Sequence, residues 1–180
     1  MNNVEVFNNE LIGNSYGIVV ASEQRGTVEG VTIYNNLIHQ NIISGIRIVG
    51  WVNGGWTKEI DVINNTLFAN GDYGIDVSNV EIEDILIQNN IALGHQNQNL
   101  IVRRNVPANQ VRMYHNLIEG DARFVNATEG DFHLLAGSPA IDTALADLAP
   151  SVDRDGVVRP LGEAVDIGAY ETPVEVSSIQ

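Results

Sequence analysis

The stretch VGWVNGGWTKEI, residues 49–60, holds both tryptophans of the chain beside a lysine and a glutamate. Trp51 and Trp56 carry flat apolar faces of the kind that stack on sugar rings, and Lys58 stands close to them in the sequence. His39 and Tyr73 lie in neighbouring bends and could donate hydrogen bonds to hydroxyl groups. These five residues are the candidate ligand-binding set. The alternative is that one tryptophan, Trp51 rather than Trp56, packs back on the protein.

Arg47 and Asp76 are oppositely charged residues whose spacing predicts that they are close enough to pair. They occupy equivalent positions in the segments GIRIV and GIDVS, so we expect them on neighbouring strands. Such a pair could act as a base or stabilise a developing charge. It could equally be a salt bridge across a sheet, which is the commoner case. The sequence shows no nucleophile motif, phosphate-binding loop or histidine spacing typical of a metal site.

Composition narrows the class of protein and of partner. The chain has 180 residues, 44% of them apolar, which fits one globular domain. Nine basic against 23 acidic residues give a net charge of −14. That charge repels nucleic acid and anionic lipid, and would repel a polyuronate unless divalent cations bridged the two. The absence of cysteine excludes disulfides and thiolate metal sites.

Neither a leader nor a membrane span is predicted for the chain as given. Its first ten residues, MNNVEVFNNE, have no basic segment followed by an apolar one, as a signal peptide would. No apolar run approaches the length of a membrane-crossing helix. We therefore expect neither a membrane nor a nucleic acid among its partners.

Asparagine pairs recur along the first two thirds of the chain, every 25 to 29 residues. The pairs are Asn8-Asn9, Asn35-Asn36, Asn64-Asn65 and Asn89-Asn90, with His115-Asn116 as a fifth copy. Each pair stands between two short strands, and a third strand follows after a polar bend. Three short strands per repeat, with no helical pattern between them, predict an all-β, right-handed parallel β-helix of four to five coils.

The repeat also predicts what the asparagines do. One residue of each corner must take a left-handed conformation, which Asn tolerates, and stacked Asn side chains form an amide ladder. A second polar column contains Asn14, Asn41, Asn70, His95 and Asp121. We therefore expect His95 to be a ladder member rather than a catalytic histidine. Another column should point outward and could be a sugar platform or a partner surface, although we favour that a loop or the C-terminal tail covers it: Phe7, Tyr34, Ile63, Gln88 and Tyr114.

The period stops at Ala122, and the sequence then contains DFHLLAGSPAIDTA, DRDGVVRP and DIGAYE. This order resembles the C-terminal end of many bacterial secreted right-handed β-helix proteins of the pectate-lyase-like superfamily, and the repeat resembles the same family. We expect the segment to cap the solenoid, with Asp142, Arg159 and Asp166 as an ion cluster. The DRDG stretch could be part of a calcium loop, but the remaining oxygen ligands are missing. No other cofactor is expected.

The resemblance implies a secreted or cell-surface location and a catalytic face along the GI-x-V strand. Lyases of the superfamily use a Lys or Arg base with acidic calcium ligands. Here that strand carries no Lys and one acid, which argues against lyase activity. The resemblance therefore implies a carbohydrate-binding or polysaccharide-processing module and leaves open whether it is an enzyme.

The predicted layout has coils over residues 1–121, a last coil and capping segment over 122–171, and a tail over 172–180. Val4 already belongs to the first coil, so there is no room for an N-terminal cap. Either the chain is part of a longer β-helix, or two copies pair through their first coils. The alternative function is thus a non-catalytic structural or interaction protein that forms a homodimer in this way.

Overall fold

Short parallel strands dominate the computed structural model, which describes residues 2–50 and 55–173. The strands are β1 (Asn2–Phe7), β2 (Glu10–Ile12), β3 (Tyr16–Ser22), β4 (Thr27–Tyr34), β5 (Leu37–His39), β6 (Ser44–Gly50), β7 (Trp56–Ile63), β8 (Thr66–Phe68), β9 (Tyr73–Val77), β10 (Ile82–Gln88), β11 (Ile91–Leu93), β12 (Gln98–Val102), β13 (Val111–Tyr114), β14 (Phe124–Asn126) and β15 (Asp131–Leu134). Two 3-10 turns span Ala108–Gln110 and Ala127–Glu129.

Every third strand pairs in parallel, so three sheets run the length of the molecule. Sheet 1 contains β1, β4, β7, β10 and β13; sheet 2 contains β2, β5, β8 and β11; sheet 3 contains β3, β6, β9 and β12. The chain therefore winds through about four coils of a parallel β-helix. Its right-handed form is the hand that parallel crossovers adopt. The predicted fold class is confirmed.

The core is a stack of branched aliphatic side chains inside the three sheets. Ile33, Val62 and Ile87 occupy one inward column of sheet 1 and are fully buried. Ile46 and Ile75 project from sheet 3 into the same cluster. β-branched residues suit such columns because they fit the pleated surface of a strand.

The asparagine pairs form the corner between sheets 1 and 2, which we call the asparagine corner. The first Asn of a pair is left-handed, as at Asn35 and Asn64, with φ of 52° and 50°. The second Asn builds the ladder: the backbone N–H and Nδ2 of Asn36 both donate to Oδ1 of Asn65, at 3.0 and 2.9 Å. Both predicted roles, corner and ladder, are confirmed.

The second polar column is also a ladder, and His95 is one of its rungs. Asn41 donates to Oδ1 of Asn70, and the backbone N–H of Asn70 donates to Nδ1 of His95 at 3.0 Å. Burial lowers the pKa of His95 to about 4, so its imidazole is neutral at physiological pH. The prediction for His95 is confirmed.

A third column, on sheet 1, was not predicted. Four residues stand at equivalent positions in this column: Asn3, Gly30, Glu59 and Asp84. Each has a positive φ, with values from 51° at Glu59 to 65° at Gly30. The strand register skips these residues, so each is a bulge stacked on the bulge of the neighbouring coil. Gly30 adopts this conformation without strain, and Asn3 and Asp84 are of types that tolerate it, whereas Glu59 is not.

The C-terminal segment lies along the side of the solenoid, whereas the sequence predicted that it caps the end. It packs on the outer face of sheet 2, where Phe124 and Phe132 contact Phe68. It then runs back along the asparagine corner, because Gln88 donates to the carbonyl of Asp147, and Asn35 to that of Val152. Ile63 and Gln88 of the predicted outward column are thereby buried, whereas Phe7 and Tyr114 stay exposed.

A buried ion pair holds this segment in place, with a different partner from the one predicted. Arg159 pairs with Glu171 at 2.6 Å, and both side chains are almost fully buried. Arg159 also donates to Oδ1 of Asn35. The carboxylate of Asp166 instead accepts the backbone N–H groups of Asp142 and Thr172, so it caps turns rather than pairing with the arginine.

Candidate functional site

Arg47 and Asp76 are neighbours, as their spacing predicts. They lie directly opposite each other on β6 and β9, and Nε of Arg47 is 3.3 Å from Oδ2 of Asp76. That contact is an ion pair without hydrogen-bond geometry, since Nε of Arg47 makes no hydrogen bond. The Asp76 side chain is 1% exposed and that of Arg47 is 24% exposed.

Arg103 is the residue of this site that the sequence did not identify as a partner. It follows β12 and reaches diagonally to Asp76, with Nε 2.9 Å from Oδ1 and Nη2 3.0 Å from Oδ2. This paired geometry is the strongest that an arginine makes with a carboxylate, and the hydrogen bonds raise the pKa of Arg103. The available signal was its position on the outward face, within diagonal reach of the Asp76 column.

Each arginine also contacts a tyrosine. The guanidinium of Arg47 lies 5.6 Å from the ring centre of Tyr16, and Nη1 donates to the Tyr16 hydroxyl at 3.1 Å. Arg103 lies 4.5 Å from the ring centre of Tyr73. Tyr16, Arg47, Tyr73, Asp76 and Arg103 form one patch on the outer side of sheet 3, the arginine–tyrosine face.

The contacts of the arginine–tyrosine face suit hydrogen bonding to a ligand better than proton transfer. Asp76 is buried and both of its oxygens are held by guanidinium groups, so it is poorly placed to take a proton from a substrate. Two arginines against one aspartate leave a local charge of +1. The N–H groups of both guanidiniums that do not face Asp76 remain as donors on partly exposed side chains.

Trp56 and Lys58 lie on sheet 1, away from the arginine–tyrosine face. Trp56 begins β7 and is 44% exposed. The ammonium of Lys58 lies 4.9 Å from its ring centre and pairs with Glu83 at 2.8 Å. The hydrogen bond to Glu83 raises the pKa of Lys58, so the ring of Trp56 has a charged neighbour. Trp51 lies outside the described residues.

His39 is on β5 of sheet 2 and is 3% exposed. Its Nε2 is 3.3 Å from a carboxylate oxygen of Glu10, and its ring lies 5.0 Å from that of Phe132. Because the C-terminal segment covers it, a glycan could reach His39 only if that segment moved. The predicted binding residues are therefore distributed over three sheets, and Tyr73 is the one that joins Arg47 and Asp76. Their roles stay predictions.

The carboxylate of Asp153 in the DRDG turn accepts hydrogen bonds from backbone N–H groups. Its Oδ1 accepts the N–H groups of Asp155 and Val157, and its Oδ2 accepts that of Glu171. Within residues 2–50 and 55–173 there is no group of three His, Asp or Glu side chains arranged to hold a metal ion. Across the same residues, no helix has the length and hydropathy needed to cross a membrane.

In comparisons with known proteins, the chain matches no family model, no curated protein and no solved structure. The β-helix is therefore established by its own strand pairing. The likeness to pectate-lyase-like proteins depends on the sequence motifs alone.

Proposed function

We propose that this protein is a carbohydrate-binding β-helix module that holds a glycan on the arginine–tyrosine face and acts outside the cell. The observation that carries the proposal is the fixed pair of arginines, each beside a tyrosine ring. Rigid guanidinium groups present several N–H donors in set directions, which suits the hydroxyl and carboxylate oxygens of sugars. Tyrosine rings add apolar surface on which a sugar ring can rest.

The contacts of Asp76 favour glycan binding over glycan cleavage. A polysaccharide-cleaving site needs a group free to accept or donate a proton at the scissile bond. On this face the carboxylate is saturated by two arginines, so it serves to position them. The acidic surface elsewhere opposes close approach of a strongly anionic polymer, so neutral or sparsely charged glycans are the better candidates.

Arg103→Ala is the variant that tests this proposal, in titrations against neutral and acidic polysaccharides followed by calorimetry. We expect a loss of affinity of about tenfold or more, which is the scale for removing a charge-assisted contact. Arg112→Ala is the matched control, because Arg112 is an exposed arginine of sheet 1 that pairs with Asp84. Equal affinity of both variants for a glycan that the unmodified protein binds would refute the proposed face.

The open first coil supports a second candidate, an interaction protein that associates through this end. Strands β1, β2 and β3 are the edge strands of the three sheets. Their outer edges have no strand partner in the part of the chain that the structure describes. Unpaired edges of this kind are templates for pairing with another chain. Sedimentation velocity over a range of concentrations tests this candidate, which predicts a rising sedimentation coefficient.

A further inference from the structure

The asparagine ladder has a direction, and its two ends are complementary. At each rung the backbone N–H and Nδ2 donate to Oδ1 of the next rung, as from Asn36 to Asn65 and from Asn90 to Asn116. Among the described residues, Oδ1 of Asn9 therefore accepts no hydrogen bond at the first rung. At the last rung, the backbone N–H of Asn116 has no acceptor within the same set of residues. One end offers an acceptor and the other a donor.

Apolar groups are uncovered at both of these ends. The first coil opens on a cavity of about 290 Å³. Its lining is aliphatic: Val4, Val6, Ile18, Val19, Val20, Ala21, Val28 and Val31. At the other end, Met113 and Tyr114 of the edge strand β13 are 48% and 46% exposed, although Met113 belongs to the inward column of Ile87.

The two end coils also differ in the charge of their own residues, although Glu10 already pairs with Arg154 and Arg112 with Asp84. Residues 2–22, the first coil, contain two glutamates and no basic residue. Residues 103–118, the last coil, contain three arginines and no acidic residue. This distribution is notable in a chain with a net charge of −14, whose copies would otherwise repel each other.

The columns of sheet 1 show what an in-register continuation would bring together. If β1 of a second copy continued sheet 1 beyond β13 in the same register, Glu5 of that copy would lie beside Arg112 and its Val6 beside Met113. Phe7 would lie beside Tyr114, and the same column already contains the stacked rings of Phe7 and Tyr34, 4.9 Å apart.

We propose that copies of this chain associate head to tail, with the first coil of one copy on the last coil of the next. The inference rests on the second candidate function, association through the first coil, and adds the identity of the opposing surface. The contact uses sheet 1 and the asparagine corner, because the chain leaves the solenoid after Ile118 and does not continue sheet 3. Such a heterologous contact does not close on itself, so it produces chains of copies rather than a symmetric dimer.

Two charge reversals, Glu5→Arg and Arg112→Glu, test the proposal by sedimentation velocity at low salt. We expect each variant alone to need about tenfold higher concentration to associate than the unmodified protein. An equimolar mixture should recover association, because both Glu5–Arg112 and the reversed pair are then attractive. Met113→Asp is a second probe of the last coil, and thermal unfolding followed by circular dichroism checks that each variant is folded.

Each outcome decides something different. If Glu5→Arg prevents association but Arg112→Glu and Met113→Asp do not, first coils pair with each other, which overturns the head-to-tail contact and keeps the second candidate. If the unmodified protein remains monomeric at every concentration, the first coil has some other partner, and both the contact and the second candidate are overturned. Recovery in the mixture, by contrast, supports the head-to-tail contact specifically.

Discussion

Replacement of His95 by Asn tests the ladder directly, because it restores the most frequent residue type of the column and removes a titratable imidazole. In the native protein Nδ1 of His95 accepts the backbone N–H of Asn70. An Asn side chain at this position would offer Oδ1 to the same N–H group. Asn70 itself shows the expected second contact, since its Nδ2 donates to the carbonyl of Ile38 on the preceding coil.

The expected effect depends on pH. Burial lowers the pKa of His95 from 6.5 to about 4, so protonation favours the unfolded chain. The stability that neutral His95 provides is fully present above pH 6.5 and is lost as the pH falls through 4. A shift of this size corresponds to about 3 kcal/mol of unfolding free energy. The His95→Asn variant cannot lose this contribution, because an amide does not titrate in this range.

Urea unfolding at a series of pH values from about 7.5 down to about 4 measures the difference, because this range runs from above the ordinary pKa of His95 to its lowered pKa. We expect His95→Asn to change stability little at the top of this range and to be the more stable protein, by up to about 3 kcal/mol, at the bottom. The comparison above pH 7 is the internal control, because it reports ladder packing alone. Parallel pH profiles for the two proteins would refute the buried, neutral histidine. An NMR titration of His95 with a midpoint near 6.5 would refute it independently.

Three further predictions follow from side-chain contacts. Asn65→Ala should lower the unfolding free energy by about 3 kcal/mol or more, because it leaves several buried hydrogen-bond partners unsatisfied. Asn9→Ala, at the exposed first rung, should lower it by less than about 1 kcal/mol. Urea unfolding of both variants measures the difference. Arg159→Met should cost about 3–5 kcal/mol, because it leaves the carboxylate of Glu171 buried and unpaired, and thermal unfolding should show a lower Tm. Partial burial lowers the pKa of His133, but its hydrogen bonds to two carboxylates outweigh the burial, and the net effect is a raised pKa. The protonated imidazole therefore adds a small stabilisation that is present below pH 6.5 and is lost as the pH rises. His133→Gln should remove this contribution. A His133→Gln profile that matches the unmodified protein on both sides of that pH would contradict the assignment.

The coils could be predicted from the sequence because their determinants are local and repeated. Each asparagine pair marks a corner, and counting from it assigns inward and outward positions for the next strand. The same counting placed Arg47 opposite Asp76 and His95 in a ladder, and the register confirms both positions.

The rest depends on contacts between residues far apart in the sequence. The side chain of Asn35 meets the backbone of Val152, 117 residues later, and no period connects them. The path of the C-terminal segment therefore had no local signal, and neither did the burial of His39 beneath it. Arg103 was missed as a partner of Asp76 because a diagonal contact depends on rotamer and strand twist, which a column count does not contain.

For the proposed function, the arrangement around Asp76 accounts for how an acidic protein can keep arginines available to a ligand. A surface arginine of this chain has many carboxylates to pair with, because the net charge is −14. Asp76 is buried and occupies one edge of each guanidinium at a fixed place. Other surface carboxylates therefore bind these arginines less favourably. The tyrosine contacts restrict the orientation of both side chains further. The remaining N–H donors then point in fixed directions, which lowers the entropy lost when a ligand binds. On this argument Asp76→Asn should weaken the proposed glycan binding, measured by calorimetry, although the proposed contacts with the glycan do not include Asp76.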